Sequence, residues 1–209
     1  VADLKNLSVE EFAAVTGSDA PAPGGGSVAA LAGGLGAALA EMVATLTIGK
    51  AKYADVEEEM KGLAAEGAAL RKELIDSIQK DTESFTAYMN ALGMPKNTDE
   101  EKAARKEAMQ NGLKEAAEVP LAVAETALKI FHVAGAVVER GNANAVTDGL
   151  VASMMARTAV LSALLNVKIN LGSIKDEEFV ARMAAKVAEI EKAAMDGEKA
   201  VMELSALTR

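Results

Sequence analysis

Residues 57–92 read EEEMKGLAAEGAALRKELIDSIQKDTESFTAYMNAL. Leu63, Leu70, Leu74, Ile78, Phe85 and Leu92 recur here at steps of four and seven, the spacing of one helical face. A helix over residues 55 to about 92 follows, ended by Gly93-Met94-Pro95. One polar residue completes the stripe. Asp81 lies three residues after Ile78 and four before Phe85, on the face that should enter a core. Burying an unpaired carboxylate costs several kcal/mol, so Asp81 must pair, protonate or face a cavity. It is either a structural carboxylate tied to a neighbouring helix or a general acid/base with a raised pKa. Ser77 and Ser84 lie about a turn to either side as hydrogen-bonding neighbours, and Glu73 and Glu83 fall off the stripe.

Working outward, the same periodicity dominates. Ser8 with Glu11, and Thr98 with Glu101, form capping-box pairs opening a short helix that ends at Gly17 and a long one over residues 99 to about 138. Pro120 should kink or break the latter, because proline lacks the N–H and clashes one turn back. Further helices are expected at 27–48, 144–169 and 176–207. Strand-like alternation and internal repeats are not evident. The fold class is therefore all-α: an antiparallel bundle of long helices with short connections, one domain over 1–209.

Composition agrees. Half of the 209 residues are apolar but only 3% are aromatic, so the core is built from small and aliphatic side chains that let helix axes approach. The net charge of −9 speaks against nucleic-acid binding. The absence of cysteine excludes disulfides and thiolate chemistry. The opening VADLKNLSVEEF carries no basic-then-apolar leader, which leads to an expected cytoplasmic location. The apolar run 28–48 approaches the length of a membrane span, yet Glu41 and its many small residues favour a buried core helix. No membrane association is expected.

Other segments carry candidate chemistry. Pro23-Gly24-Gly25-Gly26-Ser27 opens a helix; consecutive glycines let a backbone approach a ligand, and the free N–H groups favour an anion. A tight turn capped by Ser27 accounts for the same residues. Lys50 and Lys52 follow a helix C-terminus, where the dipole favours cations, and can also meet a substrate carboxylate. Asn144 or Thr147 can cap the helix near 144. Asp148 is in register with Val151, Met155 and Ala159, with Arg157 and Lys168 as possible counter-charges. His132, the single histidine, sits in an apolar stretch and reads as a packing residue; no metal site is expected.

Taken in order, Pro21–Ala30 (PAPGGGSVAA), 47–53 (TIGKAKY), 81–85 (DTESF), 141–148 (GNANAVTD) and 166–171 (NVKINL) resemble the cyclodeaminase domain of formiminotransferase-cyclodeaminase and its stand-alone relative, methenyltetrahydrofolate cyclohydrolase. The resemblance covers essentially the whole chain. Ala145 stands where a serine is expected, removing one possible hydrogen bond. The resemblance implies an all-helical homodimer that binds a folate among its helices, polyglutamylated forms included, with no cofactor beyond that substrate. It implies Asp81 and Lys50 as catalytic residues, and Gly24, Gly25, Gly26, Ser27, Asn144 and Asp148 as substrate-binding residues. The implied reaction is reversible hydrolysis of 5,10-methenyltetrahydrofolate to 10-formyltetrahydrofolate. Formiminotetrahydrofolate cyclodeamination with release of ammonia is the alternative within the family. A non-catalytic helical interaction protein is the rival of another class; it requires ion pairs for Asp81 and Asp148 and no pocket.

Overall fold

The computed structural model describes residues 3–208; Val1, Ala2 and Arg209, included in the expected domain, lie outside the described residues. No strand occurs among those described. The helices are α1 (Val9–Thr16), α2 (Gly25–Thr47), α3 (Glu57–Leu92), α4 (Asp99–Leu128), α5 (Ile130–Arg140), α6 (Val146–Leu171) and α7 (Glu177–Glu203), joined by short turns. The two capping boxes form as the sequence implied. Ser8 and Thr98 each accept from the backbone N–H of the glutamate three residues on, and that glutamate accepts from the cap's own N–H.

α2 is the axis of the bundle, packed between α3 and α6. Both neighbours run antiparallel to it. Gly25 lies against Asn166 and Gly36 against Met155, while Ser27 meets Ile78 and Glu41 meets Arg71. The inner faces of α2 carry Ala29, Ala30, Ala37, Ala40 and Ala44, all buried, so close approach supplies the packing that large side chains would otherwise provide. At Gly36 a Cβ would stand 3.0 Å from the Met155 Cβ and 3.1 Å from the Ala152 carbonyl oxygen.

Three features depart from the sequence expectation. Pro120 neither breaks nor ends its helix: α4 runs through it to Leu128, and the interruption comes at Lys129. The carbonyl that the missing Pro120 N–H would have bonded, Ala116 O, accepts instead from Asn170 Nδ2 of α6 at 2.8 Å. Second, the stripe of α3 leaves the core after Ile78. Phe85 is 39% exposed and Leu92 half-buried, because the 36-residue helix outruns the helix it packs against. Third, α2 is only partly a core helix. Its outer face exposes Val28, Leu35, Met42 and Leu46, and the outer face of α6 exposes Val151, Met154, Leu165 and Ile169. The segments Gly25–Thr47, Asp99–Arg140 and Ala143–Leu171 are each long and apolar enough to cross a membrane, by length and composition alone.

The α2–α6 contact makes the first prediction. Gly36→Ala gains helix propensity but sets its Cβ against backbone that no rotamer change can move. The net cost is about 1–2 kcal/mol. A Tm lowered by roughly 3–6 °C in a thermal melt is the expected reading.

Candidate functional site

The glycine-rich turn has a specific task. Gly24 caps α2 but offers no side chain to its free N–H groups. Asp81 fills that role from α3. Its carboxylate accepts from the Ser27 hydroxyl at 3.0 Å and from the Ser27 backbone N–H, the third helical position that an N-cap side chain would normally serve. Gly26 makes room for this: a Cβ there would come within 2.0 Å of Asp81 Oδ1. Asp81 is thus the carboxylate at the α2 N-terminus, and Gly24, Gly25 and Gly26 line the space beside it. Ser27 is fully buried; it also lies 3.1 Å from Ile78 O, and its place is beneath the carboxylate rather than against a ligand.

Above Asp81 opens a cleft of about 360 Å³. Its walls are Pro21, Ala22, Gly24, Gly25 and Gly26 from the turn, Asp81, Thr82, Ser84, Phe85 and Tyr88 from α3, Ala116 from α4, and Asn166, Ile169 and Asn170 from α6. Phe85 and Tyr88 place two of the chain's six aromatic rings here. No lysine, arginine or histidine lines it among the described residues. Burial raises the Asp81 carboxyl above its ordinary value, opposed by the hydroxyl and backbone N–H of Ser27. The site therefore joins a partly desolvated carboxylate to a cleft that holds two aromatic rings and no cation among its described lining residues. That arrangement suits a planar, positively charged group and a proton that must be taken up and returned.

The other sequence candidates do not reach the Asp81 carboxylate, although Ser84 lines the cleft. Ser77 and Ser84 turn back to the carbonyls of Glu73 and Asp81 in their own helix instead of reaching the carboxylate. Lys50, Asn144 and Asp148 sit at the far end of α2, a helix of 23 residues and so about 33 Å long. There neither Asn144 nor Thr147 caps α6, which begins after Ala145 with no side-chain cap; Asn142 caps the 3-10 turn Ala143–Ala145 just before it. Its Oδ1 accepts from Asn144 N–H, its Nδ2 donates to Leu46 O and its backbone N–H donates to buried Thr47. Asn144 itself is exposed, as is Lys50, and Asp148 is half-buried. Arg157 and Lys168 are not its counter-charges, since they pair with Glu198 and Glu191 of α7. His132 is exposed beside Glu66, 3.3 Å away, and packs nothing. The cleft also contains two residues that were not singled out, Asn166 and Asn170, one helical turn apart on α6. Their spacing of four was the available signal, but asparagines in a helix rarely announce a role.

The raised Asp81 pKa carries a signed prediction. A carboxyl whose folded pKa exceeds its unfolded value stabilises the fold when protonated, and that contribution is lost as pH rises through the folded value. Asp81→Asn lacks the loss. Its Tm relative to wild type should be highest at pH 7–8 and fall back toward pH 4, read from paired melts. A variant melting well below wild type at pH 7 would make Asp81 a structural cap only.

Comparison with known proteins places these features in a family. The family model described as formiminotransferase-cyclodeaminase matches residues 8–189. The methenyltetrahydrofolate cyclohydrolase of Methylorubrum extorquens is 44% identical over 174 residues, 83% of this chain and 84% of that one. The formimidoyltransferase-cyclodeaminase of Rattus norvegicus is 36% identical over 84% of this chain, which spans only 32% of that longer protein. The crystal structure of formiminotetrahydrofolate cyclodeaminase from Thermotoga maritima superposes with a TM-score of 0.86 over 96% of both chains, at 34% identity. From the family match and from relatives of this identity and coverage, the chain belongs to the formiminotransferase-cyclodeaminase family.

Proposed function

We propose that the protein hydrolyses 5,10-methenyltetrahydrofolate reversibly to 10-formyltetrahydrofolate, with Asp81 as its general acid/base. The observation that carries this is the half-buried carboxylate, its pKa raised by desolvation, in a cleft with no cation among its described lining residues. The methenyl bridge is a cationic amidinium carbon. Asp81 favours that charge, accepts a proton as water adds to the carbon, and returns it to the nitrogen whose C–N bond then breaks. The hydroxyl proton of the adduct leaves as the formyl C=O forms, so the hydrolysis releases one proton overall. Phe85 and Tyr88 flank the space for the ring system. The 44% identity to a methenyltetrahydrofolate cyclohydrolase supports this reaction, and the cyclodeaminase relatives support ring closure with loss of ammonia at the same carbon as the second reading. The interaction-protein alternative required ion pairs for both aspartates and a filled core. Asp81 instead binds Ser27 beneath an open cleft.

We place the enzyme in the cytoplasm as a homodimer that pairs through the outer faces of α2 and α6. Val28, Leu35, Met42 and Leu46 form one exposed stripe, and Leu165 and Ile169, 64% and 75% exposed, continue it on α6 to the rim of the cleft. Thr45 and Thr158 on these helices, and the ion pair that Glu41 of α2 makes with Arg71 of α3, suit a protein contact better than lipid. An antiparallel pairing across this face would bring Lys50, Asn144 and Asp148 of one copy towards Asp81 of the other. Polyglutamate forms of the substrate would then find their cations outside the cleft.

Turnover of methenyltetrahydrofolate, followed by absorbance and corrected for spontaneous hydrolysis, should be present in wild type and fall at least a hundredfold in Asp81→Asn. Near-wild-type turnover in that variant would overturn the role given to Asp81. Ammonia release from the formimino substrate with no methenyl hydrolysis would select the second reading. For the shared site, mixed and refolded Asp81→Asn and Lys50→Ala chains should recover about a quarter of wild-type activity, since half the dimers then hold one intact site. Recovery no greater than the sum of the parents would place Lys50 outside the chemistry.

A further inference from the structure

Asn166 and Asn170 project from one face of α6 into the cleft, one turn apart. Their amide nitrogens already donate to backbone carbonyls, Asn170 through both of its N–H groups and Asn166 through one. Asn170 Nδ2 donates to Ala116 O at 2.8 Å and to Asn166 O at 2.9 Å, and Asn166 Nδ2 donates to Ser162 O at 2.9 Å. All three acceptors are backbone carbonyls, so the amide nitrogens are identified by chemistry and each Oδ1 must point the other way. No donor among the described residues reaches either Oδ1. Both side chains are half-buried on the cleft wall, where each Oδ1 is free to accept from a ligand that enters.

The orientation of Asn170 has a separate cause. Ala116 O is free because Pro120, one turn on, has no N–H to give it. Asn170 therefore bridges α6 to a carbonyl that an ordinary helix would not offer. Asn166 is held in addition by Gly25, whose Cα lies so near that a Cβ there would stand 3.3 Å from Asn166 Nδ2.

We propose that the carbonyl oxygens of Asn166 and Asn170 recognise N–H donors on the aminopyrimidinone edge of the substrate's pteridine ring, and so determine ring specificity and orientation. This rests on the folate reading above. Two fixed neutral acceptors, with no cation nearby, accept from an amino group and a ring N–H and reject an anionic edge. They orient the ring without competing with Asp81 for its charge. A site that spends its acceptors in this way discriminates strongly against an analogue lacking the donor, because the acceptors are then left buried and unpaired.

The test compares two ligands in calorimetry, 5-formyltetrahydrofolate and its 2-desamino-2-methyl analogue. Wild type should bind the amino compound at least tenfold more tightly. Asn166→Ala and Asn170→Ala should each reduce that ratio to about threefold or less, with circular dichroism unchanged. Pro120→Ala, which leaves both asparagines in place but restores a rival donor for Ala116 O, should lose part of the preference. It reads out the same arrangement if Asn170→Ala fails to fold. A wild-type ratio that persists in the folded variants overturns the inference while leaving the folate reading intact. Failure of 5-formyltetrahydrofolate to bind wild type overturns both.

Discussion

The structure depends on one contact: a carboxylate from α3 set on the N-terminus of α2. Helices leave their first N–H groups unsatisfied, and α2 begins at a glycine with no side chain to answer them. Asp81 answers from across the bundle, Ser27 holds it by side chain and backbone, and Gly26 leaves the space. The same contact ties the helices in register at one end and places an ionisable group where water is scarce. Structural and chemical demands meet at one side chain, and burial, not a neighbouring charge, tunes it.

The opposite end of α2 is fastened differently. There Asn142 and Thr47 make a buried neutral network, with Tyr53 accepting from the Ala143 N–H. The two ends enclose a helix whose packing relies on small residues, so register matters more than bulk. A slip of one residue would put a Cβ into Asp81 at one end and unseat Asn142 at the other.

Much of this was legible in the sequence. The helices, both capping boxes and the oddity of Asp81 follow from period and residue type, because those signals are local. The glycine turn was legible as a close approach, and within the chain the group that approaches it is the Asp81 carboxylate. Lys50, Asn144 and Asp148 were grouped with Asp81 by motif, yet the length of α2 separates them within one chain. No spacing along the sequence encodes which end of a bundle a turn will reach. Phe85 kept helical register while leaving the core, since a stripe records which face points inward but not where the neighbouring helix stops. Asn166 and Asn170 were hidden because their meaning lies in hydrogen bonds to another helix.

Pro120 shows how an absence can act at a distance. A proline inside a helix is usually weighed as damage to that helix. Here the damage is contained: α4 continues, and the orphaned carbonyl becomes an anchoring point for a different element. The carboxamide of Asn170 thereby loses its rotational freedom during folding rather than on ligand arrival, so the entropy of fixing it is not charged against binding. One missing hydrogen on α4 in this way preorganises a surface on α6 that it never touches.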